Sequence, residues 1–206
     1  MGSPFDAVKR YVFERLKKEL SANLFYHDLQ HTKDDVLPAA ERLAEKEGVT
    51  GNELLLLRTA ALYHDIGYVE QYDQHELISA KIASETLPGF GYVSEQIDRV
   101  RNMILATQMR EIDGKHVQQA DSNDKLQEIM CDADLDALGR DDCFMLGHNL
   151  RREWNSRGMS LGLREWYEFQ LIFLENHTYL TEAAKSLREP GKQKNIEELK
   201  TLLGRN

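Results

Sequence analysis

The segment 54–68 is the most apolar part of the chain, yet it contains the adjacent pair His64 and Asp65. Over residues 54–65, apolar side chains fall on nearly every face of a helix, which predicts a helix at the centre of a bundle. Removing an unpaired carboxylate from water costs several kcal/mol, so a buried Asp65 needs a positively charged partner. The pair therefore indicates a metal site that lines an internal cavity, with an ordinary ion pair as the alternative.

Helical periodicity dominates the rest of the chain. Apolar residues recur at intervals of three and four, and no stretch alternates strictly as a half-buried strand does. Glycine, proline and capping residues divide this pattern into separate helices. The predicted helices cover residues 5–21, 32–47, 54–65, 74–87, 93–108, 122–138, 141–157, 163–187 and 195–203, and residues 109–121 are predicted to form a loop. We expect one all-α domain with a C-terminal helical extension.

Composition limits the compartment and the partners. The two cysteines, Cys131 and Cys143, are too few for a disulfide framework and are typical of a reducing compartment. No apolar run approaches the ~18 residues of a membrane span, so we expect a cytoplasmic protein with no membrane partner. The net charge of −9 does not indicate the basic surface that binds a nucleic-acid polymer. A small phosphorylated substrate is compatible with this negative charge if a metal balances the charge of the phosphate. The composition does not decide whether the protein forms a homo-oligomer.

Two other segments carry side chains that would complete a metal site. His31 lies upstream of the doublet, and the acidic run 131–136 lies downstream. Imidazole and carboxylate groups together suit a divalent cation, and a bundle core assembles such groups from separate helices. The ordered set His, His-Asp and Asp is therefore the strongest functional indication in the sequence.

This ordered set resembles the signature of the HD-domain superfamily of metal-dependent phosphohydrolases. The matching stretches are His31-Thr32, residues 62–68, His75-Glu76 with Ser79-Ala80, and residues 132–139. The resemblance covers about residues 25–145 and implies a helical bundle of the HD-domain type. Residues 1–24 would then form an N-terminal helix, and residues 146–206 would form C-terminal helices packed on the same domain.

The resemblance implies a metal centre with one divalent ion: Mn, Mg, Co, Ni, Fe or Zn. Its expected ligands are His31, His64, Asp65 and Asp134. Asp134 is preferred as the fourth ligand because it follows a small residue, as in related motifs. Asp132 is the alternative ligand, or a group that orients a ligating imidazole through a hydrogen bond. Asp136 is expected to be a solvent-facing or helix-end charge.

The resemblance also implies a substrate pocket beside the metal. His75 and Glu76 are expected near its mouth. Thr107 occupies the position at which two-metal members of the superfamily place another histidine. Since threonine is a poor metal ligand, one metal ion is preferred over two.

Catalysis in this interpretation needs a base and cations. Asp65 would orient or deprotonate a water molecule, in addition to binding the metal. Lys33 and Arg140 are the nearest cations in sequence that could contact phosphate oxygens, and both could equally be surface charges.

The resulting hypothesis is hydrolysis of a phosphomonoester or phosphoanhydride in a small molecule, with a nucleotide as the preferred class. Two alternatives remain open at this point. One is an HD-like di-iron oxygenase, for which His75 would supply an additional ligand. The other is a non-catalytic domain that binds a metal or a nucleotide as a sensor.

Overall fold

The structure is a computed structural model and describes residues 3–205. Within these residues, nine α-helices and one two-stranded antiparallel sheet form the regular structure, which confirms the all-α prediction. The helices are α1 Pro4–Glu19, α2 Leu37–Lys46, α3 Gly51–Tyr63, α4 His75–Thr86, α5 Ser94–Ala106, α6 Lys125–Asp134, α7 Cys143–Ser156, α8 Leu163–Asn176 and α9 Glu182–Leu203. The strands are β1 Arg110–Ile112 and β2 Lys115–Val117.

Four short helical turns connect these elements. A π-helical turn, His31–Val36, leads directly into α2, and a 3-10 turn, Ile66–Val69, follows α3. Two further 3-10 turns, Leu87–Phe90 and Asp136–Gly139, follow α4 and α6. Within residues 3–205, no helix combines the length and the apolar character that a membrane span requires.

Helix α3 lies at the centre of the bundle, as its apolar sequence predicts. It contacts α1, α2, α5 and α6, and Leu56, Leu57 and Leu62 are fully buried. Because α3 ends at Tyr63, the next residue, His64, lies at the C-terminal end of this central helix. The core around α3 also takes in apolar residues of α1 and α9, while a second cluster joins α8 to α9.

The predicted loop 109–121 contains the hairpin formed by β1 and β2, so this part of the prediction was wrong. Arg110 pairs with Val117, and Ile112 pairs with Lys115. Asp113 and Gly114 both have positive φ angles, as the turn of a two-residue hairpin requires. The Asp-Gly dipeptide was the available indication, but each strand has only three residues and is largely exposed.

The predicted bounds of helices 163–187 and 195–203 were also wrong, although both segments are largely helical. The chain leaves helical geometry between α8 and α9, and α9 then continues through Pro190. The carboxylate of Asp132 accepts hydrogen bonds from the backbone N–H groups of Leu180 and Thr181, at 2.8 Å each. The Thr181 hydroxyl in turn accepts a hydrogen bond from Ala184 at the start of α9. A contact between distant segments therefore sets this break.

Asp136 begins the 3-10 turn Asp136–Gly139, but it is buried, so the expectation of a solvent-facing charge was wrong. Its carboxylate pairs with Arg42 of α2 at 2.8 Å and with Arg188 of α9 at 2.7 Å. Only 2% of the residue is exposed. The charge is retained inside the protein because two guanidinium groups replace its hydration. Asp136 thus joins α2 and α9 through the turn that carries it.

Candidate metal centre

The structure brings His31, His64 and Asp65 together inside the bundle. One donor atom from each of the three side chains lies within 4.8 Å of the others. His31 begins the π-helical turn, while His64 and Asp65 follow the end of α3. All three residues are buried. Two separated segments of the chain thereby supply nitrogen and oxygen donors to one point.

Asp134, the last residue of α6, faces the same point. Its Oδ1 lies 3.5 Å from Nε2 of His31 and 3.4 Å from Nε2 of His64. Asp132 lies elsewhere, since both of its carboxylate oxygens accept hydrogen bonds from residues 180 and 181. The two positions differ because residues two apart on a helix point to different sides. The geometry therefore favours Asp134 as the fourth ligand and gives Asp132 a structural role.

The donor atoms at this point suit a cation. The Nδ1–H of His64 donates to the carbonyl of Ala61 at 2.9 Å, which leaves the lone pair of Nε2 for a metal. Nε2 of His64 and Oδ2 of Asp65 are buried, and neither has a hydrogen-bond partner among residues 3–205. Buried polar atoms of this kind are rare without a ligand. The residues present therefore fit a divalent metal ion.

Local electrostatics agrees with a cation at this point. Burial lowers the pKa of His64, but the carboxylates of Asp65 and Asp134 raise it well above its ordinary value. Burial raises the pKa of Asp65, whereas His64 and His75 lower it well below the usual range. The field at the site is thus strongly attractive to positive charge.

Two neighbouring side chains hold the carboxylates in place. His75 lies with its Nε2 3.1 Å from Oδ1 of Asp65, and its ring stacks on Tyr68 at 3.9 Å. The Nε2 of Gln118, just after β2, donates to Oδ2 of Asp134 at 2.7 Å. Such contacts fix the orientation of metal ligands. Sequence reasoning missed Gln118, because nothing in its local sequence indicates which distant group it meets.

The predicted pocket residues line a cavity beside the metal centre. His75, Glu76 and Thr107 are all part of its lining. The Thr107 hydroxyl donates to the carbonyl of Ile104 at 2.8 Å, so this hydroxyl has no proton left to donate to a ligand. The prediction placed His75 near the pocket mouth, and the structure places it in contact with the carboxylate of Asp65.

The two predicted cations have other partners. Arg140 pairs with Asp35 and Asp142, and Lys33 is about half exposed beside Asp34. Among the described residues, the lining of the cavity includes neither of them. The geometry therefore offers no support for a role of Lys33 or Arg140 at a phosphate.

His27 and Glu153, a pair that the sequence analysis did not select, lie beside the candidate metal centre. Nδ1 of His27 lies 2.6 Å from Oε1 of Glu153, whose side chain is fully buried. Burial lowers the pKa of His27, but the hydrogen bond to Glu153 and the nearby carboxylates raise it above its ordinary value. Glu153 also accepts hydrogen bonds from the backbone of Tyr26 and from the hydroxyl of Tyr72. This network leaves Nε2 of His27, a lining residue, for a second partner.

The cavity itself has a volume of about 530 Å³ and two chemically different parts. Asp65 and Asp134 belong to the polar part, together with His27 and His75. The other part is formed by apolar and aromatic side chains of α7 and α8. A small molecule in this cavity would meet the metal centre and an apolar wall at once.

Comparisons with known proteins agree with this arrangement. The sequence profile of the HD domain family matches residues 25–137, more than half of the chain. The crystal structure of Bacillus subtilis YpgQ in complex with ADP is similar over 98% of this chain and 95% of that chain. The TM-score is 0.67 at 20% sequence identity, which shows a shared fold. No curated protein matches the chain.

Proposed function

Because the chain belongs to the HD domain family, a superfamily of metal-dependent phosphohydrolases, we propose that it hydrolyses a phosphomonoester or phosphoanhydride of a small molecule. One observation carries this proposal: two imidazoles and two carboxylates from separate elements converge beside a cavity of ligand size. The complex of YpgQ with ADP makes nucleotides the first class of substrate to test.

The proposed ligands of the divalent cation are His31, His64, Asp65 and Asp134. When bound, the cation supplies Lewis acidity, which makes water a better nucleophile and offsets charge on a phosphate oxygen. The chain contributes the position of this chemistry, since Asp65 and Asp134 also line the cavity. Asp65 would also orient an attacking water, and His75 holds its carboxylate.

His27 is our candidate for the proton donor to the leaving group. Its raised pKa keeps it protonated to higher pH, and Glu153 fixes its ring through Nδ1. Nε2 is then the atom that would deliver a proton to the departing oxygen. Glu153 would stabilise the charged imidazole and would not itself exchange a proton with the substrate.

The experiment is a screen for phosphate and pyrophosphate release. Purified protein loaded with Mn, Co, Ni or Mg is incubated with nucleotides and with other small phosphate esters. We expect at least one substrate to turn over with one metal ion per chain, and His64→Ala and Asp65→Ala to abolish turnover. His148→Ala is the matched control, because His148 lies on α7 and outside the cavity lining. Full activity in both site variants would reject the mechanism, and two irons per chain with uptake of dioxygen would indicate an oxygenase.

A further inference from the structure

We infer that the substrate is a phosphate monoester with an apolar, flat organic body, and that the space between α7 and α8 receives this body. The inference rests on the proposed function, because the phosphate is assigned to the metal centre. It narrows that function, since it disfavours substrates with several phosphate groups.

The apolar wall is built from one face of each helix. On α7, Leu146, Leu150 and Trp154 recur every four residues and all line the cavity. On α8, Phe169 and Phe173 recur in the same way. Apolar stripes at this spacing ordinarily interdigitate with a facing helix. Here they border an open space that is continuous with the metal centre.

Aromatic rings make the wall suitable for a flat ligand. The ring of Phe169 lies 5.1 Å from that of Trp154 and 5.6 Å from that of Trp166, measured between centroids. Phe173 stacks on Phe169 at 6.2 Å. Such rings favour offset-stacked or edge-to-face contacts with another ring. An aromatic body would therefore bind more favourably than a sugar of the same size.

The charge of the lining disfavours a polyphosphate. Asp65, Glu76 and Asp134 contribute carboxylates to the cavity, while no lysine or arginine among residues 3–205 lines it. One divalent cation can balance one phosphate at the metal centre. Each further phosphate would extend past that cation into a region that has no lysine or arginine among residues 3–205, where its loss of hydration is poorly compensated.

One polar group interrupts the apolar wall. Gln170 lines the cavity, is only 7% exposed, and its Oε1 has no hydrogen-bond partner among the described residues. Gly147 of α7 makes room for this amide, because a Cβ at that position would overlap it. A buried amide with an unused oxygen is a ready acceptor after a small rotation. The Gln170 amide would therefore favour a substrate whose apolar body carries one hydroxyl or N–H donor.

Binding of non-hydrolysable phosphonates to the manganese-loaded protein tests this inference. The probes are 4-ethylphenylphosphonate, methylphosphonate, which lacks the body, and ADP. Both tryptophans of the chain line the cavity, so their fluorescence reports its occupation. We expect the arylphosphonate to bind at least about tenfold more tightly than either other probe, because it buries apolar surface. Equal or tighter binding of methylphosphonate or ADP would overturn the inference, whatever the behaviour of any variant.

Variants locate the body within the cavity. Phe169→Ser should weaken binding of 4-ethylphenylphosphonate about tenfold or more and leave methylphosphonate within about twofold, because it removes apolar contact area only. Ile172→Ser is the matched control on the same helix, since Ile172 is 54% exposed and lies outside the lining. Unchanged binding of the arylphosphonate to the Phe169 variant would contradict the inference.

The test separates this inference from the proposed function. Tight binding of the arylphosphonate without turnover of any phosphate ester would reject hydrolysis and leave the ligand preference supported. Turnover of nucleotides together with preferred binding of ADP would support hydrolysis and overturn the preference for an apolar monoester.

Discussion

Asp132 and Asp134 stand two residues apart on α6, and the structure separates their roles. Asp132 ties the segment before α9 to α6 through three hydrogen bonds to residues 180 and 181. Asp134 faces His31 and His64, and Gln118 holds its other oxygen. Chemically identical side chains thus support the fold in one case and face the candidate metal centre in the other.

Substitution of these two aspartates by asparagine should give opposite results. Asp132→Asn turns one acceptor into a donor that faces N–H groups, so we expect unfolding free energy to fall by about 3 kcal/mol, with manganese affinity nearly unchanged. Asp134→Asn removes a charged ligand, so we expect manganese affinity to fall about 100-fold or more, while the stability of the metal-free protein changes by less than about 1 kcal/mol. Urea unfolding and calorimetric titration measure the two quantities. Loss of metal affinity in the Asp132 variant alone would contradict these assignments.

His27 offers a second test at the level of single residues. If it donates a proton to the leaving group, His27→Gln should lower kcat about 10²–10³-fold for an alkyl phosphate. For p-nitrophenyl phosphate the loss should be less than about tenfold, because nitrophenolate leaves without a proton. Steady-state rates at saturating manganese measure both. Equal losses for the two substrates would indicate a purely structural role.

The residue pattern and the resemblance to the HD-domain signature together indicated the four proposed ligands, since each ligand lies in a short motif with recognisable neighbours. Gln118 and the pair of His27 and Glu153 could not be found in this way. Their importance comes from contacts across the fold, such as the 2.6 Å contact between segments 126 residues apart. The same limitation explains Asp136, whose arginine partners lie on two distant helices.

At the level of elements, α9 crosses the turn Asp136–Gly139 at close range. Gly191 of α9 and Gly139 of the turn face one another, and a Cβ on either would overlap backbone of the other element. The neighbouring Arg188 pairs with Asp136 at the same crossing. Pro190 remains within the helix, where it removes one backbone donor. The crossing fixes the C-terminal helices against the part of the chain that follows the metal centre.

Gly191→Ala should therefore destabilise the protein. In an ordinary helix this change gains up to about 1 kcal/mol, but here we expect a loss of about 2 kcal/mol or more, because the methyl group meets the Gly139 carbonyl. Gly89→Ala is the matched control, since a Cβ at Gly89 has open space and no strained φ angle, and its effect should stay within about 0.5 kcal/mol. Chemical denaturation measures both. A stabilised Gly191 variant would show that the crossing is not close.

Helix periodicity predicted most helices because each buries one face along its length. It failed where tertiary contacts decide the backbone. The hairpin β1–β2 has three-residue strands without an apolar face, and the break before α9 is set by Asp132. The missed hairpin matters for the site, since Gln118 follows it directly.

For the whole molecule, His177 makes stability depend on pH. Burial and the nearby Lys192 lower the pKa of His177 to about 3, while an unfolded histidine has a pKa of 6.5. The folded protein therefore holds this imidazole neutral, and the unfolded chain binds more protons. This contribution to stability is complete above pH 6.5 and is lost progressively as the pH falls toward 3.

Between pH 7.5 and pH 5, we expect His177 to account for a loss of about 2 kcal/mol in unfolding free energy. The His177→Gln variant lacks the titrating group, so its unfolding free energy should fall by about 2 kcal/mol less than that of the unsubstituted protein over the same interval. Urea unfolding in the presence of a chelator measures the difference without a contribution from metal binding. An identical pH dependence in both proteins would show that His177 is not the group responsible.

The central claim concerns the molecule as a single unit: one divalent cation bound by side chains from the π-helical turn, from the two residues that follow α3, and from α6. An anomalous difference map from crystals grown with manganese tests it most directly. The account predicts one peak per chain, about 2.0–2.3 Å from nitrogen or oxygen atoms of His31, His64, Asp65 and Asp134. An empty map at that point, or a peak bound by Asp132, would contradict it.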